Sequence, residues 1–332
     1  MEGENMSEKI LTIAICAYNM EQYIAQAVES CICKNIDKIE VLVMNDGSTD
    51  KTAEIVQKYC DKYPDSIYLI NKANGGWGSN LNEAVKLANG KYFKELDADD
   101  WFDTEELDRF ICALEKYDAD MFYNYYRQCY IDHTELCGEC VRPYGGEIRK
   151  LNDIKEGILF TIWAVCFRTE LLKKYHRNLP EHTLYTDTLF IMQVLPYIEE
   201  IYITDLCVYQ YRLGREGQSV DKESIKKHFK ESMKVTDTEL QIYKQTGHLM
   251  NRQHMQCRIQ TKYECLLVEL IKIYGEVEEN IKSIIVSYEK RLKKEFPELY
   301  HATGKRKLTK FLRMTGYLGL PIAKKMIGDR FY

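Results

Sequence analysis

No apolar run in the 332-residue chain approaches the ~18–20 residues needed to span a bilayer. The first nine residues carry Glu2, Glu4 and Glu8 and no hydrophobic core, so they do not read as an export signal. The expected location is therefore cytoplasmic. Proline, with 6 residues, and tryptophan, with 3, are both scarce, and no repeat or low-complexity segment stands out. A mixture of 45% apolar and 29% charged residues disfavours disorder, collagen and simple coiled coil, and suits a soluble globular enzyme. Three nucleotide and hydrolase signatures are missing as well. No GxGxxG follows the first apolar run, which disfavours a dehydrogenase, and neither a P-loop nor a nucleophile elbow occurs.

What is present is unevenly spread. The formal charge is -5, yet residues 301–332 hold eight Lys or Arg and one Asp, so the rest of the chain is strongly acidic. A basic tail seeks an anionic surface, while the acidic remainder argues against nucleic acid as a partner. The 12 cysteines are scattered and read as reduced thiols. One cluster, Cys129, His133, Cys137 and Cys140, contains a CxxC and raises zinc, but half of its spacing is wrong for a structural site.

The first hundred residues alternate between β-branched apolar runs and helical patterns. Strands are expected at 10–16, 39–44, 67–71 and 91–96, and helices at 20–33, 50–63 and 78–88. Such alternation predicts an α/β fold with mostly parallel strands and helices on both faces. Further on, helices are expected at 105–117, 152–160 and 183–195, and strands at 120–126, 163–168, 200–204 and 207–212. From 221 the character changes to long helices. The predicted domain covers 9–220, in halves of about 9–102 and 103–220, followed by a helical region at 221–332.

Three predicted strand ends carry polar clusters: Ala17-Tyr18-Asn19, Asn45-Asp46-Gly47-Ser48, and Asp97-Ala98-Asp99-Asp100. Parallel strands would put all three on one edge of the sheet, where such folds bind ligands. Each alone could be a capped turn. Asp97 and Asp99, two apart, would point to one side and offer hard oxygen ligands suited to Mg²⁺ or Mn²⁺, with helix capping as the alternative.

These strings, Thr12 to Asn19, Val41 to Asp50, Asn74-Gly75-Gly76 and Leu96 to Asp100, together resemble the family 2 glycosyltransferases of the GT-A fold. The resemblance implies a Rossmann-like, mostly parallel sheet. It also implies inverting transfer from a nucleotide-diphosphate sugar, most often a uridine one, with Mn²⁺ or Mg²⁺. By the same resemblance, Ala17, Tyr18 and Asn19 border the nucleobase and ribose. Asp46 bonds the base edge, and Gly47 and Ser48 shape its turn. Asp99 holds the ion, with Asp97 near ribose and metal. The loop Asn74-Gly75-Gly76 favours the donor's anionic portion. Two departures are visible: Cys16 stands where Pro is usual, and Leu81-Asn82 where Arg-Asn is frequent.

In the acceptor half the family carries Glu-Asp followed by an aromatic residue; here Thr186-Asp187 precedes Phe190. Asp187 is the candidate base by position, with a helix N-terminal role as the alternative. Arg212 and Arg215 lie in a Tyr-Arg loop that could close over a diphosphate or make surface ion pairs. Trp77, Trp101 and Trp163 could stack on a sugar, against simple burial, and Trp101, directly after the acidic motif, is the first candidate. The expected acceptor is a glycan or lipid-linked glycan precursor of the cell surface. Two alternatives are a non-catalytic nucleotide-sugar-binding module and, less favoured, a nucleotidyltransferase, whose basic phosphate loop is absent. In the tail, Leu308, Phe311 and Leu312 interleave with Lys305, Arg306, Lys307, Lys310 and Arg313. This basic amphipathic stretch, 305–325, could rest on the anionic inner face of the cell membrane or dock on the preceding helices.

Overall fold

The computed structural model describes residues 9–155, 157–214 and 222–328. The chain divides into two compact units, residues 1–215 with 249–251, and residues 216–248 with 252–332.

The first unit opens with β1 (Leu11–Ala17), α1 (Ile24–Ser30), β2 (Ile39–Asn45), α2 (Thr52–Lys62), β3 (Ile67–Asn71), α3 (Trp77–Leu87) and β4 (Tyr92–Asp97). Every residue of β1 and β2 is buried, as continuous apolar strands must be when both faces of the sheet are covered. The four strands run parallel in the order β3-β2-β1-β4. Cys16 lies opposite both Met44 and Asp97, and Ala17 opposite Asn45. The register thus brings the three polar strand ends to one level.

There follow β5 (Trp101–Phe102), α4 (Thr104–Lys116), β6 (Met121–Cys129), β7 (Thr134–Cys137), β8 (Ile148–Lys150), β9 (Val165–Arg168), α5 (Thr169–Tyr175), α6 (Thr186–Val194) and β10 (Glu200–Arg212). They extend the sheet to β3-β2-β1-β4-β9-β6-β10-β5, with β7 beside β6 and β8 beside β10. β9 is antiparallel to both β4 and β6, and β10 runs parallel to β6, so the sheet is mixed but mostly parallel. Helix α4 turns Leu107, Phe110, Ile111 and Leu114 into the core and is capped by Asp103, which accepts from the backbone N–H groups of Glu105 and Glu106.

Two expectations give way here. The stretch expected as a helix at 152–160 holds only a short 3₁₀ turn, Leu151–Asp153. Ile154, Ile158 and Phe160 are buried from irregular chain, and Gly157, at φ 92°, adopts a left-handed conformation that breaks a helix. The two strands expected at 200–204 and 207–212 are one strand, β10, whose register against β6 shifts between Ile203 and Cys207 and again before Tyr209. These are β-bulges, which leave the strand continuous but break its alternation. The zinc cluster does not assemble. Thr134 lies opposite Cys129, and Tyr126 opposite Cys137. That three-residue offset along the ladder sends the two thiols to opposite faces. His133 stacks on Tyr130 and pairs with Asp132 instead. All twelve cysteines are free.

The second unit is helical: α7 (Lys222–Thr246), α8 (Arg252–Lys272), α9 (Ile281–Glu295), α10 (Pro297–Thr303), α11 (Lys307–Met314) and α12 (Leu320–Ile327). No helix among the described residues is long and apolar enough to cross a membrane. The apolar stripe read in the tail turns inward within this unit. Leu312 is 1% exposed, and Gly319 lies so close to the Phe311 ring that a Cβ there would meet it at 2.7 Å. Arg313 is drawn in as well, with Nε donating to Glu289 Oε2 at 2.6 Å while its guanidinium covers the Tyr300 ring. Helical packing claimed the stripe because its three apolar side chains share one face of α11.

Candidate active site

The hub of the strand-end edge is Asp46, 1% exposed. Its Oδ1 accepts from the backbone N–H of Gly75 at 2.9 Å and from Lys72 Nζ at 2.7 Å, and its Oδ2 from the N–H of Gly76 at 2.8 Å. Asn74 Nδ2 donates to the Asp46 carbonyl at 2.9 Å. The carboxylate expected at a base edge therefore also organises the Asn74-Gly75-Gly76 loop from behind. The first and second clusters are laced together in the same way. The Asn19 N–H donates to Ser48 Oγ at 3.0 Å, and Asn19 Oδ1 accepts from the Thr49 N–H at 2.8 Å. Ala17 is buried, Gly47 sits against Asn74, and Tyr18 is 48% exposed.

The third cluster crowds carboxylates. Burial first, and the charge of Asp99 next, push Asp97 up to about 6. Burial, then Asp97 and Asp99, push Asp100 up to about 9. Glu95, buried one strand position pair behind Asp97, is raised well above the carboxylate range by burial and by Asp97. Trp77 Nε1 bridges the two, at 3.1 Å from Asp97 Oδ1 and 3.3 Å from Glu95 Oε1. Ala98 is buried between the outer aspartates. Among the described residues no group of three or more His, Cys, Asp or Glu is poised as a complete metal cage. The donor chemistry nevertheless fits a hard divalent ion. It is all oxygen, the charge of Asp99 adds to burial in raising Asp97, and such ions take one or two carboxylates with substrate phosphate completing the shell.

Asp100 faces the other way. Its Oδ2 accepts from Tyr209 Oη at 2.7 Å and its Oδ1 from the Arg212 N–H at 2.7 Å. Arg212 Nε donates to the Asp99 carbonyl at 2.7 Å, and its guanidinium lies 4.6 Å from the Trp101 ring centroid. Arg212 thus braces the acidic turn from outside, and Trp101 offers one ring face to Arg212. Arg215 lies outside the described residues.

Asp187 is the second residue of α6 and half-buried. Its charge is felt at Asp97 and at Tyr211, raising both, after the larger effects of burial and of nearer aspartates. Residues 176–185 bring α6 to this place by clasping α3. The His182 N–H donates to the Gly75 carbonyl at 2.8 Å, and Asn82 bonds both the N–H and the carbonyl of Leu179. Gly78 allows the approach: a Cβ there would stand 2.9 Å from Leu179 Cβ and 3.3 Å from Thr186 Oγ1. Thr186, in the place of the acidic residue, is buried against α3.

Lys72, Glu95, His176 and Tyr209 carry no assignment in the sequence reading. Only Lys72, at the foot of the Gly-Gly loop, carried a signal in its charge.

His176 completes the clasp, with Nε2 2.9 Å from Asn82 Oδ1. Burial lowers its imidazole to about 4, against about 6.5 when exposed. As pH falls through about 6.5 the unfolded chain takes up a proton that the folded chain refuses until about 4, so stability is lost across that window. Melting midpoints should fall from pH 7 to 4.5, and less steeply in His176→Gln. Equal slopes in the two proteins would remove His176 as the cause.

Residues 12–171 match the family model for glycosyl transferase family 2. The chain carries a family 2 glycosyltransferase domain. An uncharacterized glycosyltransferase of Rickettsia prowazekii is 34% identical over 140 residues, 42% of this chain and 43% of that protein. A chondroitin synthase of Escherichia coli is 37% identical over 99 residues, 30% of this chain and 14% of that protein. The chain spans about half the length, or less, of the curated relatives it matches. Among solved structures, Staphylococcus aureus TarS 1–349 in complex with UDP-GlcNAc superposes with a TM-score of 0.59 at 19% identity, covering 92% of each chain. The mannosyltransferase PcManGT of Pyrobaculum calidifontis, in complex with GDP-Man and Mn²⁺, gives 0.53 at 14%, covering 96% of this chain and 86% of that one. These likenesses establish the fold of the family 2 domain as GT-A type.

Proposed function

We propose that the family 2 domain transfers a sugar, with inversion, from a nucleotide-diphosphate sugar to a hydroxyl of a glycan or lipid-linked glycan precursor in cell-surface polysaccharide synthesis. The donor is read as a UDP-sugar. The observation that carries this reading is the meeting of the three strand-end clusters at one level, with Asp187 close enough to Asp97 to raise its pKa. Tyr18 offers a ring face for the base, and Asp46 and Lys72 hold the Gly75-Gly76 loop beside it. Asp97 and Asp99 would hold Mn²⁺ or Mg²⁺, which when bound neutralises charge on the departing diphosphate. Trp77 fixes the Asp97 carboxylate. Asp187 takes the proton from the acceptor hydroxyl as its oxygen attacks the anomeric carbon. Support also comes from TarS, solved with UDP-GlcNAc, from PcManGT, solved with GDP-Man and Mn²⁺, and from the polysaccharide synthases among the relatives.

Thermal unfolding with a panel of nucleoside diphosphates, with and without Mn²⁺, tests the donor site. A ligand at a hundred times its dissociation constant adds about 2.7 kcal/mol, enough to raise the midpoint visibly. UDP with Mn²⁺ is expected to stabilise the wild type and not Asp99→Asn. Silence toward every nucleotide would refute the donor assignment, and a preference for GDP would refute the uridine reading.

A further inference from the structure

The inward turn of the Leu308, Phe311 and Leu312 stripe leaves a different apolar edge on the helical unit. Met314, Leu318, Ile322 and Met326 are 78%, 75%, 57% and 74% exposed. They recur every fourth residue from the end of α11 through α12. On α12, Ile322 and Met326 share one open face, while Leu320 and Ala323 are buried. Large apolar side chains this open, gathered within thirteen residues, mark an interaction surface rather than the scattered exposure usual on a globular protein.

The charge around this edge says what covers it. Residues 301–328 contain seven Lys or Arg and no Asp or Glu, in a chain whose net charge is -5. Three of those cations are engaged within the unit: Arg306 with Glu264, Arg313 with Glu289, and Lys324 with Glu276. Lys305, Lys307, Lys310 and Lys325 are exposed, and among the described residues none of them makes an ion pair. Lys307, Lys310 and Met314 follow one another along the open face of α11, at spacings of three and four. A second copy of the chain would set these lysines against their own equivalents, a like-charge contact that opposes association. An anionic phospholipid surface meets both demands, since apolar side chains enter the acyl boundary while lysines meet phosphate.

We infer that the edge formed by Met314, Leu318, Ile322 and Met326, with Lys305, Lys307, Lys310 and Lys325 beside it, seats the chain on an anionic lipid surface. The inference does not depend on the reaction the first unit catalyses, and its test needs no activity. The full chain is co-sedimented with vesicles of phosphatidylcholine alone, or of phosphatidylcholine containing phosphatidylglycerol. Binding is expected to the anionic vesicles, with little to the neutral ones, and to weaken as salt is raised. Each lysine near the surface is worth about fivefold in binding, so Lys307→Glu with Lys310→Glu should weaken it by at least about twentyfold. Leu318→Ser with Ile322→Ser should weaken it by about tenfold or more, at unchanged charge. All four positions are exposed or lie on the open face, so both variants should melt with the wild type. No binding to anionic vesicles overturns the inference, as does binding that both double variants retain. A concentration-dependent dimer that Leu318→Ser disperses, in a chain that ignores vesicles, would assign the edge to a second copy instead.

Discussion

Asp187→Asn is expected to lower the rate of sugar transfer by about 10²–10⁴-fold while leaving the nucleotide-induced rise in melting temperature intact. The change keeps the size and the helix-start position of the side chain and removes only its capacity to take a proton. Asp187 sits on α6, whose place beside α3 is fixed by the Leu179, His182 and Asn82 hydrogen bonds and not by the carboxylate. Fold and donor binding should survive. Transfer with a matched donor and acceptor, measured beside nucleotide binding, separates the two roles. A variant that still transfers at the wild-type rate would return Asp187 to a helix-dipole role. A wild type that binds nucleotide but never transfers would favour the non-catalytic binding module.

Asp46→Ala carries the largest expected effect on stability. It removes the acceptor of two backbone N–H groups and of Lys72, whose side chain is 18% exposed, and leaves all three without it at the end of β2. Losing one partner of a buried, hydrogen-bonded charge pair costs about 3–5 kcal/mol, and Lys72 can recover part of that by reaching water, so about 3 kcal/mol is expected. Urea unfolding measures it. The nucleotide response should disappear with it, because the Gly75-Gly76 loop loses its anchor. An unchanged unfolding midpoint would show that the loop is held by other contacts.

The parallel half of the fold was legible because β1 and β2 are near-continuous apolar runs and the strands alternate with amphipathic helices, a pattern with few other solutions. The strand-end clusters were legible for the same reason, since parallel strands leave no choice of edge. What the sequence hid is side-chain destination. Asp46 read as a residue facing a ligand, and nothing local said that its carboxylate would be met by Gly75, Gly76 and Lys72. Trp77 read as a stacking ring, yet its indole N–H holds Asp97. The tail read correctly as amphipathic, but the stripe at helical spacing was the one that the unit itself buried. The residues left outside, from Met314 to Met326, are split over two short helices and the turn between them, so no single helix presents the whole set. Bulges in β10 and the left-handed Gly157 lie beyond periodicity altogether, because they depend on what the distant chain presents.

β10 ties the acidic turn to the far end of the domain: Tyr209 and Arg212 bond Asp100 across 109 and 112 residues of chain. A ribosome adding about 5–20 residues each second would deliver Asp97 to Asp100 several seconds before the strand that braces them. During that interval the early strands can pair, but the carboxylates lack Tyr209 and Arg212 as partners. The nascent domain thus acquires its sheet before its chemistry. A contact of such sequence separation also delays closure of the turn in refolding, since the loop entropy must be overcome first.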